Sequence, residues 1–160
     1  TIREFKPDPV PEPAIRRILH AGRWAPSSSN SQSWHFIVIQ DKTTLKALGR
    51  IASQGGFISN APMAIAVVMD NAPRPHLDAG RALQQMELMA WAQGIGTCFV
   101  GVRVAEQRQE IMKLLDIPQE MELITILPFG YSTEIKRRQG TPRKPMDEIA
   151  HRERFGEPYV

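Results

Sequence analysis

The chain has 160 residues, of which 42% are hydrophobic and 23% charged, and a formal net charge of +3. These values are typical of a soluble globular protein, so we expect residues 1–160 to form one domain with a substantial core. No apolar run approaches the roughly 20 residues of a membrane helix, and the lone Cys98 excludes an intrachain disulfide framework. We therefore expect a cytoplasmic protein with no membrane partner.

The positive charge is concentrated near the C-terminus. Between residues 136 and 154 there are seven basic and three acidic side chains, which leaves the rest of the chain slightly acidic. The basic residues are Lys136, Arg137, Arg138, Arg143, Lys144, Arg152 and Arg154. Such a cluster serves nucleic acid, a small phosphate group, an acidic partner or solubility, and solubility is the most frequent of these.

The first third of the chain predicts two helices on either side of a strand. Pro13 at a first-turn position, followed by apolar residues at helical spacing, predicts a helix from Glu12 to about residue 24. Residues 34–40 are rich in β-branched and aromatic side chains and predict a buried strand. Asp41 is a good N-cap for a short helix that runs through Leu48.

The remainder predicts three further strands separated by helices. Residues 63–69 are continuously apolar, as expected for a strand covered on both faces of its sheet. Residues 78–93 predict the longest helix, and its apolar residues on more than one face favour a subunit interface over a helix buried within a monomer. Residues 97–102 and 122–127 predict strands on either side of an amphipathic helix over 106–115, and the interleaving implies an α+β or α/β layered sheet.

A polar stretch at residues 25–34 (APSSSNSQSW) separates the first helix from the first strand. Its Ser, Asn and Gln side chains supply many hydrogen-bond donors and acceptors, and Trp24 and Trp34 flank it. A plain connection is the commonest role of such a stretch. A binding loop is the alternative.

Several common chemistries have no support in the sequence. Gly94 and Gly96 follow a predicted helix, whereas a dinucleotide-binding glycine turn connects a strand to a helix. The four histidines lack the spacing of metal ligands, so no metal site is predicted, and Cys98 is interpreted as structural. The polar loop, the basic tail and Arg3 instead suit a flat anionic ligand such as flavin mononucleotide (FMN), which carries its own chemistry.

Four stretches, in the same order, resemble the flavin-dependent nitroreductase family. They are residues 1–5 (TIREF, with Pro9-Val10), 24–34 (WAPSSSNSQSW), 94–101 (GIGTCFVG) and 142–145 (PRKP). The second is fairly specific, and together they span essentially the whole chain. Two features depart from the family pattern: Ser33 replaces the usual proline before Trp34, and the Arg that usually precedes Thr1 is not included in the chain.

The resemblance implies an α+β three-layer fold with a mostly antiparallel central sheet flanked by helices, in an intertwined homodimer with FMN at the subunit interface. The implied FMN-binding residues are Thr1, Arg3, Pro26, Ser27, Ser28, Asn30, Gln54, Val100, Gly101 and Arg143. Thr1, Arg3 and Arg143 correspond to the phosphate and ribityl region, and residues 26–30 to a loop that reaches the flavin of the other subunit. Val100 and Gly101 match the backbone turn beside flavin N5, and Gln54 falls near a ring-contacting position.

The implied reaction is an NAD(P)H oxidoreduction in which the protein contributes no catalytic side chain. NADH or NADPH delivers hydride to flavin N5, and a small electron acceptor such as a nitroaromatic or a quinone then receives the electrons. Arg3 is the candidate for stabilising the anionic reduced flavin. Two alternatives stay open: a flavoprotein of the same fold with a dehalogenation or dehydrogenation reaction, and, ranked lower, a nucleic-acid-binding protein that uses the basic tail.

Overall fold

The computed structural model describes residues 1–133 and 141–159. The helices are α1 (Glu12–Arg23), α2 (Lys42–Ile51), α3 (Pro75–Ala92), α4 (Ala105–Leu114) and α5 (Met146–Ile149), and the strands are β1 (Trp34–Ile39), β2 (Met63–Met69), β3 (Gly96–Thr97) and β4 (Glu122–Gly130). Short 3-10 turns cover Ser28–Asn30 and Gly56–Asn60. Lys136, Arg137 and Arg138 of the predicted basic cluster lie outside the described residues.

The strands form one sheet in the order β1-β2-β4-β3, and every neighbouring pair is antiparallel. This confirms the prediction of an α+β fold with a mostly antiparallel central sheet. Strands β1 and β3 are the two edges. At one end of the sheet Trp34 pairs with Met69, which pairs with Glu122, and at the other end Met63 pairs with Phe129.

Helices cover both faces of the sheet. Every residue of β2 is buried, and alternate side chains pack in opposite directions, as the two-residue period of a strand requires. Met63, Ile65, Val67 and Met69 belong to a core cluster with α1 and α3, whereas Ala64, Ala66 and Val68 belong to a second cluster with α2 and α4. The molecule therefore has the predicted three layers.

Strand β3 is shorter than the predicted strand over residues 97–102. It ends at Thr97, and only an isolated bridge between Val100 and Ile126 continues the pairing with β4. In this register Cys98 lies opposite Pro128, which has no N–H to donate to the Cys98 carbonyl. The proline therefore interrupts the ladder, although it does not end β4, which runs on to Gly130.

Helix α3 begins at Pro75, three residues before the predicted start. Proline is favoured in the first turn of a helix because an N–H at that position would have no partner within the helix, so its absence costs nothing. The earlier start places Asp78 inside the first turn and fully buries it.

The segment 141–159 is compact rather than extended. It contains the single turn of α5 and then folds back on itself, with the Tyr159 N–H donating to the Ala150 carbonyl at 2.9 Å. Among the described residues, no helix has both the length and the apolar character needed to cross a membrane.

Candidate functional site

The polar loop adopts a backbone conformation that non-glycine residues rarely take. Ser29, Asn30 and Gln32 have positive φ angles of 54°, 56° and 49°, in the left-handed region that costs an L-residue roughly 1 kcal/mol. The Ser27 Oγ accepts a hydrogen bond from the Gln32 N–H at 3.0 Å and closes the turn. The loop is exposed from Ser29 to Gln32, so its strained part faces outward rather than into the core.

A buried carboxylate holds the base of this loop. Asp78 of α3 is fully buried, and its two oxygens accept hydrogen bonds from the Ser28 N–H at 2.9 Å and the Ser28 hydroxyl at 3.2 Å. The Arg81 Nη1 lies 3.5 Å from the same carboxylate. Sequence reasoning missed Asp78, although its spacing gave a signal: it falls four residues before Ala82 and eight before Met86 on the buried stripe of α3.

The N-terminal segment lies beside β3. The Ile2 N–H donates to the Thr97 carbonyl at 2.9 Å, and a Cβ on Gly96 would collide with the Ile2 side chain. Thr1 and Arg3 are exposed on either side of this contact. The Arg3 guanidinium lies 5.7 Å from the centre of the Phe57 ring, and within residues 1–133 and 141–159 it forms no salt bridge with a carboxylate.

The backbone at Val100 and Gly101 is held by hydrogen bonds between Val100 and strand β4. The Val100 N–H donates to the Ile126 carbonyl at 3.1 Å, and the Val100 carbonyl accepts the hydroxyl of the fully buried Thr125 at 2.9 Å. The Gly101 N–H has no hydrogen-bond acceptor in the part of the chain that the structure describes. Thr125 is a second positioning residue that sequence reasoning missed, because a threonine in a strand carries no signal of its partner.

The Gln54 loop lies against the same turn. Gln54 is exposed, whereas the next residue, Gly55, is buried so close to Val100 that a Cβ on it would press on the valine side chain. The Ser53 hydroxyl donates to the Gln107 Oε1 of α4 at 3.3 Å. The structure thus gathers Thr1, Arg3, the Gln54 loop, Val100 and Gly101 around the β3 edge of the sheet.

The polar loop and the β3-edge group are far apart within one chain. The loop leads into β1, at the opposite edge of the sheet from β3, and three strand spacings amount to roughly 14 Å. It is also tied to Asp78 near the start of α3, whereas the N-terminal segment contacts β3 just beyond the end of that helix. The fourteen helical steps from Asp78 to Ala92 span about 21 Å.

Arg143 is not brought to either group. Its side chain is exposed, and its Nη1 donates to the carbonyl of Thr141 at 2.8 Å. No contact joins it to another predicted site residue in the two described segments. The same segments contain no group of three or more His, Cys, Asp or Glu side chains placed to hold a metal ion.

Two grooves lie elsewhere on the protomer. One, of about 750 Å³, runs between α2 and α4, and another, of about 670 Å³, lies between α1 and β1. Neither is lined by a predicted site residue.

An apolar stripe on the outer side of α3 accompanies this arrangement. Leu77, Leu88 and Trp91 are 45%, 60% and 48% exposed, and their spacing places them on one side of the helix. The exposed Arg81 and Gln84 lie on the same side between Leu77 and Leu88, so Leu77 is separated from the other two. Neighbouring exposed apolar side chains such as Leu88 and Trp91 are typical of a protein–protein contact.

Comparison with known proteins agrees with these features. The Nitroreductase family profile matches residues 1–77 and 56–131. A relative from Archaeoglobus fulgidus, provisionally named NADH dehydrogenase/NAD(P)H nitroreductase, is 30% identical over 166 residues, covering 97% of this chain and 93% of its own. An FMN reductase [NAD(P)H] from Bacillus subtilis is 26% identical over 178 residues, covering 97% and 70%.

A solved structure gives the same result. An FMN-dependent nitroreductase from Clostridium difficile R20291 superimposes with a TM-score of 0.78 at 31% sequence identity, over 85% of this chain and 84% of the other. The family profile covers most of the chain, and both core clusters and the sheet lie within the matched region. The chain belongs to the Nitroreductase family.

Proposed function

We propose that the protein is an FMN-dependent NAD(P)H oxidoreductase of the nitroreductase type that works as a homodimer. The observation that carries the proposal is the turn at the β3 edge. There the Val100 N–H is bonded to Ile126, while the next N–H, that of Gly101, has no acceptor in the described residues. The names of the Bacillus subtilis and Clostridium difficile proteins, which specify FMN, support it.

The residues at the β3 edge fit FMN chemically. Arg3 is an exposed guanidinium without a carboxylate partner in the described segments, so its donors are free for a phosphate or for the electron-rich end of a flavin. The Gly101 N–H is a neutral donor suited to a ring nitrogen. Thr1 adds a hydroxyl beside Arg3, and we propose that Arg143 adds a second guanidinium for the phosphate.

The bound FMN supplies the hydride-accepting and hydride-donating centre. The chain's own residues position and stabilise it. The Gly101 N–H would hold FMN by donating a hydrogen bond to a ring nitrogen, and the hydrogen bonds that Val100 forms with Thr125 and Ile126 fix the backbone that carries this donor. The Arg3 guanidinium would stabilise negative charge on the bound flavin, because opposite charges attract strongly where water is partly excluded.

We propose that a dimer completes the site. Ser27, Ser28 and Asn30 lie at one end of α3 and the β3-edge group lies near the other. A two-fold axis that packs α3 against its copy brings each loop toward the β3 edge of the partner, as isologous symmetry allows. The exposed stripe of Leu77, Leu88 and Trp91 supplies the apolar contact for such a packing.

The acceptor that we propose is a small, flat, electron-poor molecule such as a nitroaromatic or a quinone. The polar loop would supply such an acceptor with hydrogen-bond donors but with no catalytic acid or base. NADH and NADPH are both proposed as donors. The cytoplasmic location and the single-domain organisation stay predictions.

The test is spectroscopic. The purified protein is mixed with FMN, freed of excess flavin, and titrated with NADH or NADPH without oxygen. We expect a yellow protein whose flavin absorbance bleaches and then recovers when a nitroaromatic or a quinone is added. A protein that retains no FMN would overturn the proposal, and one that retains it but reacts with neither nicotinamide would exclude the NAD(P)H oxidoreductase function.

A further inference from the structure

We propose that Asp78 is a positioning residue for FMN binding, because its buried carboxylate holds the polar loop in the conformation that reaches the flavin. The inference rests on the proposed function. It adds a residue that no motif in the sequence points to and that lies 50 positions from the loop it holds.

The first argument is the way in which the carboxylate is used. Burying a charged group is unfavourable unless it is hydrogen-bonded, and Asp78 is fully buried. Both of its oxygens accept from one residue, Ser28, through the backbone N–H at 2.9 Å and the hydroxyl at 3.2 Å. Hydrogen bonds to a carboxylate are among the stronger ones in proteins. The free-energy cost of burying Asp78 is therefore offset mainly by its two hydrogen bonds to Ser28 of the loop.

The second argument is the backbone strain in the loop, which the hydrogen bonds to Asp78 help to maintain. The residues just after Ser28 include Ser29, Asn30 and Gln32, all with left-handed φ angles. A free loop would relax from this conformation, since none of these residues is a glycine. The anchor at Ser28 and the Ser27–Gln32 hydrogen bond at 3.0 Å hold the two ends of the strained turn.

The third argument is that the helix does not need this carboxylate for its own packing. Asp78 shares the buried stripe of α3 with Ala82 and Met86, where a small apolar residue would pack without a desolvation cost. The nearby Arg81 Nη1 is 3.5 Å away, at the limit of a hydrogen bond, and the Arg81 side chain is 43% exposed. Ser28 is therefore the principal partner of the carboxylate.

The chain offers a matched control in Asp41. Its carboxylate also accepts from the N–H and the hydroxyl of a single residue, Thr44, at 2.7 and 2.8 Å. It lies on the surface at the start of α2, away from the polar loop. Asp41→Asn therefore removes a charged acceptor with the same pair of donors but without an effect on the loop.

The experiment compares Asp78→Asn, Ser28→Ala, the double variant and Asp41→Asn. FMN affinity is measured by quenching of flavin fluorescence, folding by urea unfolding, and loop order by amide hydrogen exchange of residues 28–32 in the protein without flavin.

We expect Asp78→Asn to bind FMN about 10-fold more weakly, which is about 1.4 kcal/mol, and to exchange its loop amides faster. Ser28→Ala should show a smaller loss, and the double variant no more than Asp78→Asn alone. Asp41→Asn should bind FMN as the parent does.

Each other outcome has a defined meaning. If the parent binds no FMN, the proposed function fails, while the exchange measurement still decides whether Asp78 orders the loop. If the parent binds FMN and Asp78→Asn binds it equally well, the inference is overturned and the proposed function stands. Strictly additive losses in the double variant would also overturn it, since they would mean that the two residues act separately. If Asp78→Asn does not fold, Ser28→Ala decides, and an unchanged FMN affinity there would overturn the inference.

Discussion

Gly101 distinguishes the requirements of folding from those of flavin binding. Its φ angle is not in the left-handed region, and a Cβ placed on it would meet the Phe99 ring at 3.5 Å and the Arg103 Nε at 4.0 Å, which are ordinary contacts. Nothing in the described part of the protomer therefore requires glycine at this position. The side of the turn that carries the free N–H is where the flavin ring is proposed to approach.

The first prediction is that Gly101→Ala folds normally but binds FMN poorly. We expect the free energy of unfolding to change by less than about 0.5 kcal/mol, as for a substitution without a packing defect. We expect FMN affinity to fall at least about 10-fold, because the methyl group keeps the ring from the backbone donor. Urea unfolding and fluorescence titration measure the two quantities.

Gly96→Ala is the contrasting variant. A Cβ there would collide with the Ile2 side chain, so this substitution should lower both stability and FMN affinity by displacing the N-terminal segment. An FMN affinity for Gly101→Ala equal to that of the parent would show that the ring does not approach this turn.

At the scale of the element, α3 carries an ionisable group whose environment changes on folding. Burial raises the pKa of Glu87 above its ordinary value of 4.5. A raised carboxyl pKa means that the folded protein binds more protons than the unfolded chain in the range between the two pKa values. Stability then falls as pH rises through that range, and the loss persists at higher pH.

The second prediction is that Glu87→Gln removes this contribution. The free energy of unfolding of the variant, relative to the parent, should rise as pH increases from below 4.5 to neutrality. The reason is that only the parent loses stability when its half-buried Glu87 carboxyl ionises. Urea unfolding of both proteins across that pH range provides the comparison. A difference that stays constant with pH would mean that Glu87 titrates alike in the folded and unfolded chains.

Local sequence patterns predicted most elements because those patterns reflect burial directly. The continuous apolar run of β2 and the Asp41 cap of α2 were both identified, and the structure has β2 at residues 63–69 and the cap bonded to Thr44. The extent of β3 was not predictable in this way. It depends on which residue pairs with Pro128, and a pairing register between distant strands is set by the whole sheet.

The residues of the candidate site also differ in whether a local sequence pattern predicts them. The polar loop and the Val100–Gly101 turn were found from their composition and from the family resemblance, which the profile match confirms. Asp78 and Thr125 were missed because their importance lies in hydrogen bonds to residues 50 and 25 positions away. The role of Arg143 stays a prediction, since its only hydrogen bond in the described residues is local.

At the scale of the whole molecule, the two groups of predicted FMN-binding residues lie at opposite edges of one sheet. A ligand that needs both groups binds tightly only if a second copy supplies one of them. In the homodimer that we propose, the partner protomer is that second copy. FMN binding and dimerisation are then coupled, so that dimerisation strengthens FMN binding by the same free energy by which FMN strengthens the dimer.

The last prediction uses this linkage. Leu88→Lys places a charge in the apolar stripe one turn from Trp91, at a side chain that is 60% exposed and makes little contribution to the core. We expect the variant to fold as a monomer and to lose most of its FMN, although every residue proposed to touch the flavin is unchanged.

Leu114→Lys is the control, because Leu114 is also exposed, at 38%, but lies on α4 away from the stripe. Light scattering coupled to gel filtration gives the mass, and the ratio of flavin to protein absorbance gives the occupancy. A monomeric Leu88→Lys that keeps its FMN would show that one protomer suffices for binding, and a dimeric variant with full occupancy would place the subunit contact elsewhere than on α3.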